Sequence, residues 1–142
     1  MKRSKFIAYA APAQTADEAM AFFQEVRDPS ASHNCFAYKA AGDTYRRFSD
    51  DGEPSGSAGR PIMGAVDGSG LDNVAVLVVR YFGGVKLGVG GLVRAYGGAA
   101  SAVLQEARTH EVRGTACRII SPLDAPGPTW RALRSMSSLA LV

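Results

Sequence analysis

With 142 residues, 46% of them hydrophobic, the chain is long enough for one domain with a core and a short appendage. Its formal net charge of +3 belongs to residues 107–142, because residues 1–106 hold as many acidic as basic side chains, so charge alone marks no nucleic-acid binder. The longest aliphatic run is too short to cross a bilayer, and two cysteines without metal-ligand spacing exclude a disulfide scaffold. The N-terminus has only a weak apolar stretch of the signal-peptide kind, and we therefore expect a cytoplasmic protein.

The chain begins with a predicted strand and an amphipathic helix. The strand covers Phe6 to Ala11. Thr15 to Glu18 then forms a capping box, in which the threonine hydroxyl accepts a backbone N–H of the first turn and Glu18 reaches back. Asp28-Pro29 ends the helix. Its apolar face follows the spacing i, i+3, i+4 and i+7 and consists of Ala19, Phe22, Phe23 and Val26.

A hairpin, two helices and a buried strand are predicted next. The hairpin joins His33–Ala40 to Thr44–Phe48 through a turn at Gly42-Asp43. After an acidic loop at 49–57, a short helix is predicted within 58–70 and a longer one over 88–106. Between them, residues 74–79 are apolar throughout, which is typical of a central strand covered on both faces or packed at a barrel-like seam. The order β-α-β-β-α-β-α predicts an α/β (α+β) fold, a two-layer sandwich of a mixed β-sheet with helices packed on it.

Two segments concentrate residues that bind ligands. Thirteen of the sixteen glycines lie between Gly52 and Gly98, beside acidic, basic and tyrosine side chains. Glycine is favoured where the backbone needs a positive φ or must approach another group closely. The segments 50–61, DDGEPSGSAGRP, and 80–96, RYFGGVKLGVGGLVRAY, therefore predict a built surface.

The acidic residues of the first segment allow two interpretations. Asp50, Asp51 and Glu53 offer oxygen ligands for a hard cation, but they lack the alternating spacing and the glycine position of an EF-hand loop. We favour ordinary roles, in which they cap the helix near residue 58 or pair with basic side chains close in the fold. Those basic side chains are Arg60, Arg80 and Lys86.

The glycine-rich loop, residues 83–91, lies between the central strand and a helix N-terminus. Backbone N–H groups and the helix dipole favour an anion at such a place, and Lys86 and Arg94 add positive charge. The spacing fits neither a Walker A motif nor a dinucleotide fingerprint. A phosphate or RNA contact is one interpretation; the other is that the glycines only permit tight turns and close helix–strand packing.

Other chemistry-bearing residues are better explained by structure. His33 and Cys35 face the same side of a strand, yet a Cys-His pair needs a positioned carboxylate and an exposed thiolate, so a partly buried strand is favoured. A nucleophilic Ser55 or Ser57 would need a histidine beside it, and the sequence places none there.

The hairpin also carries aromatic and basic side chains that could stack on single-stranded RNA. These side chains are Tyr38, Tyr45, Arg46 and Arg47. Solvated charges on a strand are the commoner explanation for such a pattern, and both interpretations stay open.

These motifs resemble the IMPACT/YigZ family. The resemblance rests on D-D-G-E-P-x-G-x-A-G-x-P, on R-Y-F-G-G-x-K-L-G-x-G-G-L-V-R-A-Y, and on the strand motif H-x-C-x-A-Y, here His33 to Tyr38. It spans residues 5–106, and Ser57 stands where the family usually has threonine. The resemblance implies a fold similar to a ribosomal small-subunit protein domain and to domain IV of elongation factor G. It also implies a role in translation, since eukaryotic members regulate translation by binding a kinase activator.

The family resemblance also suggests how the C-terminal part is organised. We assign residues 1–112 to an Impact N-terminal-like domain and residues 113–142 to a truncated remnant of a ferredoxin-like second domain, which typical bacterial relatives carry. A strand is predicted at 116–120, followed by a helix with Trp130, Leu133 and Ser137. Because a lone β-α unit cannot bury its apolar face or pair its strand edges, we expect the remnant to be docked on the first domain, shared in an oligomer or poorly ordered.

The leading hypothesis is a non-enzymatic binding domain associated with translation, with RNA, the ribosome or a regulatory protein as partner and no membrane contact. No cofactor, metal or catalytic residue is expected. The rival is an enzyme or binding protein for a phosphorylated small molecule, with the glycine-rich loop as phosphate cradle; it lacks a convincing base or nucleophile. The predicted binding surface comprises Asp50, Asp51, Glu53, Arg80, Tyr81, Gly83, Gly84, Lys86, Gly88, Gly90, Gly91, Arg94 and Tyr96.

Overall fold

The computed structural model describes residues 4–41, 44–112 and 137–140, with side chains placed through residue 106. The predicted element order is present, with one additional strand near the C-terminus. In chain order the elements are β1 (Lys5–Pro12), α1 (Ala16–Val26), β2 (His33–Ala40), β3 (Tyr45–Ser49), α2 (Gly59–Ser69), β4 (Val74–Tyr81), α3 (Gly88–Val112) and β5 (Ser137–Ala140). The α/β class is therefore confirmed, and α3 continues six residues beyond the predicted end at Glu106.

The five strands form one sheet in the order β3-β2-β4-β1-β5. Every neighbouring pair is antiparallel, so the prediction of a mixed sheet is wrong. The β1-α1-β2 unit does bring two strands into parallel orientation, but β4 lies between them and is antiparallel to both. The parallel pair that the order suggested is therefore never hydrogen-bonded.

Helices cover both faces of the sheet. The side chains of β4 alternate, so that Val74, Val76 and Val78 lie in a core with α2 and α3, while Ala75, Leu77 and Val79 lie in a second core with α1. This confirms the prediction of a central strand covered on both sides. It also makes α1 a third layer, where two layers were predicted, because β4 presents an apolar row to each face and each row needs a cover.

The start of α1 follows the predicted capping box. The Thr15 hydroxyl accepts the backbone N–H of Glu18 at 3.1 Å, and the Glu18 carboxylate accepts the N–H of Gln14 at 2.7 Å. Phe22 and Phe23 of the predicted apolar face are buried under the sheet. These local signals determine the position of α1, and the stacked rings of Phe23 and Phe36 attach it to β2.

At the C-terminal side, β5 pairs antiparallel with β1 along Lys5–Ala8. Ser137 was predicted on a helix and instead begins this strand, because β1 offers backbone groups that an added strand can pair. The predicted strand at 116–120, the residues Trp130 and Leu133 and the turn at 42–43 lie outside the described residues. None of the described helices is both long enough and apolar enough to span a membrane.

Candidate functional site

A buried ion pair joins three segments of the chain. The Arg80 guanidinium of β4 donates through Nη1 to Oε1 of Glu53 at 2.7 Å, and the hydroxyl of Tyr96 in α3 donates to the same oxygen at 2.6 Å. The Arg80 and Glu53 side chains are only 5% and 3% exposed. Glu53 therefore holds the acidic loop against both the sheet and α3. The Tyr96 hydroxyl is buried, and this burial is the largest cause that raises its pKa.

Strand register explains why Arg80 lies at this point. Phe6 of β1 and His33 of β2 are its cross-strand neighbours, so the three side chains project from the same face of the sheet. The guanidinium carbon lies 5.7 Å from the ring centre of Phe6 and 5.3 Å from that of Phe82. Its Nη2 donates to the Ser4 hydroxyl at 3.3 Å, while Nε has no partner among the described residues.

His33 contributes a second polar group to the same region. Its Nδ1 is 2.7 Å from the carbonyl oxygen of Asp51, and because a carbonyl can only accept, Nδ1 carries the hydrogen of this bond. In the neutral ring Nε2 is then an acceptor. It lies 3.8 Å from Oε2 of Glu53, the carboxylate oxygen that takes neither the Arg80 nor the Tyr96 bond.

These groups line a pocket of about 510 Å³ beside the glycine-rich loop. Its volume lies within the ordinary range for small-molecule sites, and most of its walls are apolar. Phe82 and Val89 at the mouth are 48% and 56% exposed, and the exposed Lys86 lies with them. The lining consists of Ser32, His33, Glu53, Pro54, Arg80, Phe82, Lys86, Leu87, Gly88, Val89 and Leu92.

The other two acidic residues have structural roles. Asp50 accepts backbone N–H bonds from Gly56, Ala58 and Gly59 at 2.7 to 3.1 Å, and so caps α2 from outside the helix. Burial disfavours its charged form, but the three N–H groups outweigh burial and hold the pKa of Asp50 below its ordinary value. Asp51 accepts the backbone N–H of Asn34 at 2.7 Å. The structure thus confirms capping for Asp50 and pairing with Arg80 for Glu53, whereas Asp51 has neither role and instead binds the start of β2.

The glycine-rich loop needs glycine at two of its positions. Gly84 and Gly88 have φ of +96° and +79°, in the left-handed region. Gly90 and Gly91, which are also predicted surface residues, are in the first turn of α3 without a positive φ, because the helix already begins at Gly88. The glycines therefore have two structural roles: Gly84 and Gly88 permit the turns of the loop, and Gly90 and Gly91 lie in the first turn of α3.

The predicted surface residues do not all meet in one place. Tyr81 lies on the opposite face from Arg80, since neighbouring strand residues alternate, and its hydroxyl donates to the Asp28 carboxylate. That bond is the main cause that raises the pKa of Tyr81 to about 12. Arg94 is exposed on α3 and does not line the pocket. The structure therefore brings together Glu53, Arg80, Lys86, Gly88 and Tyr96.

The structure also places the Cys35 thiol, considered above for catalysis, and the hairpin side chains, considered for stacking on RNA. Burial raises the pKa of the Cys35 thiol to about 12, and the thiol donates to the carbonyl of Asp50 at 3.1 Å. On the hairpin, Tyr38 is buried on the α1 face, while Tyr45 is exposed and Arg46 pairs with Asp67 of α2 at 2.7 Å. The exposed Tyr45 and Arg47 share one face of β3, while Arg46 lies on the other face, so the four hairpin residues do not form one surface.

Sequence reasoning missed most of the pocket wall. His33 was interpreted as a strand residue, and Phe82, Leu87, Val89 and Leu92 were not assigned to the site. A signal for His33 exists in the strand pairing, which places it opposite Arg80. The apolar residues carry no such signal, because an apolar side chain beside a cavity has the same pattern as one within a core.

Comparisons with known proteins agree with the motifs. The family model described as Impact N-terminal domain matches residues 2–104. The chain is 59% identical over 107 residues to "IMPACT family member in pol 5'region" of Thermus thermophilus, which covers 75% of this chain and 58% of that protein. It is 44% identical over 114 residues to "IMPACT family member YigZ" of Escherichia coli, with 77% and 56% covered.

A solved structure is also similar to this chain. "Crystal structure of an hypothetical protein" matches with a TM-score of 0.71 and 42% identity, covering 75% of this chain and 54% of that one. The chain spans about half the length of the curated bacterial relatives it matches. On the family match over residues 2–104 and these identities, the chain belongs to the IMPACT family.

Proposed function

We propose that this chain is a cytoplasmic binding domain without catalytic activity, and that it acts near translation by contacting RNA, the ribosome or a regulatory protein. The observation that carries the proposal is the pocket mouth, defined by Phe82, Lys86 and Val89. Two large apolar side chains are about half exposed there beside a lysine, above a floor whose charges pair with each other. Exposed apolar groups clustered at a concave site are typical of contact surfaces.

The state of the polar groups supports binding over turnover. Glu53 accepts bonds from Arg80 and Tyr96, and Asp50 accepts three backbone N–H bonds. The Cys35 thiol is buried with a raised pKa, so little thiolate forms near neutral pH. A general base or nucleophile needs a group that is available to the substrate. Asp50 and the Cys35 thiol are held within the fold. Oε2 of Glu53 and Nε2 of His33, by contrast, line the pocket, where we assign them to ligand binding.

Family membership supports the link to translation. The motifs resemble those of a family whose eukaryotic members regulate translation, and the chain is 30% identical over 93 residues to "Protein IMPACT" of Rattus norvegicus. That match covers 61% of this chain and 29% of the rat protein. The role is therefore proposed for the domain that the two proteins share.

Co-sedimentation with ribosomes, with and without nuclease, tests the proposal. We expect the chain to sediment with ribosomes, and Lys86→Glu and Val89→Glu to reduce the bound fraction at least severalfold. Arg47→Glu and Tyr45→Glu, at exposed positions of β3, are the matched controls and should bind normally. Loss of binding after nuclease would assign RNA as the contact, whereas persistence would assign a protein. Equal losses in the control variants, or no association in the wild type at low salt, would contradict the proposal.

A second candidate function, binding of a phosphorylated small molecule, is favoured by the pocket itself. Its volume suits such a ligand, and Lys86 and Gly88 of its lining belong to a loop that leads into the N-terminus of α3, where anions are stabilised. Calorimetric titration with phosphate-bearing metabolites tests this candidate. If Lys86→Met weakens metabolite binding and the wild-type chain does not sediment with ribosomes, the small-molecule candidate is favoured over the translation-associated one.

A further inference from the structure

The pocket floor presents two hydrogen-bond acceptors side by side. Oε2 of Glu53 and Nε2 of His33 are 3.8 Å apart. The first is a carboxylate oxygen outside the Arg80 and Tyr96 bonds. The second is an acceptor in the neutral ring, whose Nδ1 carries the hydrogen bonded to the Asp51 carbonyl. One nitrogen with two hydrogens can lie within about 2.9 Å of both atoms. The floor therefore complements an amino group.

The charges of the site restrict what can carry that amino group. Glu53 and Arg80 neutralise each other at the floor, and Lys86 at the mouth leaves an excess of positive charge. An ammonium or guanidinium group would enter against this charge, whereas an uncharged amino group attached to an anion would not. A ligand that complements these charges has an uncharged hydrogen-bond donor at its inner end and a negative charge at its outer end.

The sides of the pocket are mostly apolar, and Phe82 at the mouth offers an exposed aromatic ring. Phe82 has the Arg80 guanidinium near its ring and is 48% exposed, and Leu87 and Leu92 complete the wall. Any nucleic-acid base can stack on such a ring, because every base has a flat aromatic face. Its phosphate would then lie near Lys86 and the glycine-rich loop.

From these three observations we propose that the pocket binds a nucleotide whose base carries an exocyclic amino group, with the amine on Glu53 and His33 and the phosphate at Lys86. The nucleotide is either a unit of single-stranded RNA or a free molecule, since both present the same chemistry. This inference rests on the proposed function and specifies its ligand. It predicts discrimination between a base that carries this amine and one that carries a carbonyl in its place.

Matched pairs of ligands test the proposal without any variant. Inosine monophosphate has a carbonyl where adenosine monophosphate has the amino group, and a hydrogen on the neighbouring ring nitrogen. Uridine monophosphate differs from cytidine monophosphate in the same two ways. The carbonyl would place a third acceptor against two acceptors, so we expect the amine-bearing member to bind about tenfold tighter or better. Calorimetric titration of the full chain, with oligo(C) and oligo(U) as the RNA arm at one salt concentration, measures this ratio.

Three variants assign the discrimination to its residues. His33→Phe, with folding checked by its unfolding curve, should bring the two members of each pair close to equal affinity, because Nε2 is lost. Lys86→Met should weaken every nucleotide by a similar factor and leave the ratio intact, because phosphate contacts position a ligand without reading its base. Arg47→Met, a charge removal on exposed β3, should change neither quantity.

The outcomes separate this inference from the proposed function. Equal affinities within both pairs, or a ratio that persists in His33→Phe, would overturn the inference even if ribosome binding stands. No binding of any nucleotide or oligonucleotide would also overturn it. A preference for oligo(C) over oligo(U) would support it with RNA as the source. A preference among mononucleotides in a protein that binds neither RNA nor ribosomes would support it and contradict the proposed function.

Discussion

At the scale of single residues, the pair formed by Glu53 and Arg80 is the feature on which the site depends most. Breaking a buried ion pair by removing one partner leaves an uncompensated charge and costs about 3–5 kcal/mol. Arg80→Met should therefore lower the free energy of unfolding by about that amount, because Glu53 would keep only the Tyr96 bond. Urea denaturation monitored by circular dichroism measures the change.

Two further variants make this prediction specific. The double variant Glu53→Gln/Arg80→Met removes both charges and should recover part of the lost stability, since no unpaired charge remains buried. Arg46→Met breaks the Arg46–Asp67 pair, whose side chains are 38% and 43% exposed, and should cost less than about 1 kcal/mol. If Arg80→Met were no worse than Arg46→Met, the pair would not be buried in solution as described.

At the scale of elements, α2 depends on an acceptor that is distant in sequence. Its N-cap position is Ala58, which offers no side-chain hydrogen bond, and the Asp50 carboxylate takes the N–H groups instead. Asp50→Asn turns an amide N–H₂ toward one of these donors and should destabilise the protein by about 1–2 kcal/mol at neutral pH. The same urea titration, repeated across pH, checks both size and direction.

The pH dependence follows from the lowered pKa of Asp50. Because the folded pKa lies below the unfolded value of about 3.9, the stabilisation is fully present above that pH and is lost as the pH falls through the folded pKa. The difference between wild type and Asp50→Asn should therefore shrink in acid. Asp72→Asn, at a side chain 60% exposed, is the control and should show little change at any pH. A constant difference across pH would contradict the carboxylate cap.

Local signals predicted the elements well because they act within one turn or one strand. The Thr15–Glu18 capping box and the alternation of β4 each depend on neighbours in sequence. The sheet order does not, since only the long-range pairing of β4 with both β1 and β2 determines it. The number of layers and the strand at Ser137 were not predicted for the same reason. Local propensity does not determine which part of the fold an element packs against or pairs with.

The candidate site likewise contains some residues that the sequence predicts and others that it does not. Glu53 and Arg80 were recognisable because both lie in the segments that combine glycine with charged side chains, and a pairing of the acidic residues with nearby basic ones was expected. Tyr81 was assigned to the same surface although it follows Arg80 directly on a strand, and alternation alone sends it to the other face. The pocket walls were not predictable, because Leu87 and Leu92 become ligand-facing only through the gap between the acidic loop and α3.

At the scale of the whole molecule, the two cores contain residues 6–104 among the side chains that the structure describes. The core under α2 and α3 ends at Leu104, and the core under α1 ends at Val79, with Tyr81 packed against it. The ion pair, the cap of α2 and the pocket also lie within this part. What the C-terminal region adds among the described residues is β5, four residues paired to the edge of β1.

A shortened chain that ends at Glu106 should therefore keep cooperative unfolding. Losing β5 removes a few cross-strand pairs, each worth about 0.2–1 kcal/mol, so we expect them to account for a loss of roughly 1–3 kcal/mol in urea denaturation. Ending at Glu106 also removes the last six residues of α3, which adds to this loss. The shortened chain would also expose the β1 edge over Lys5–Ala8, which invites pairing with another chain. Sedimentation velocity over a concentration series would detect that association. A shortened chain that is unfolded, or that loses most of its stability, would show that residues beyond 106 are an integral part of the core and that a domain boundary near residue 112 is misplaced.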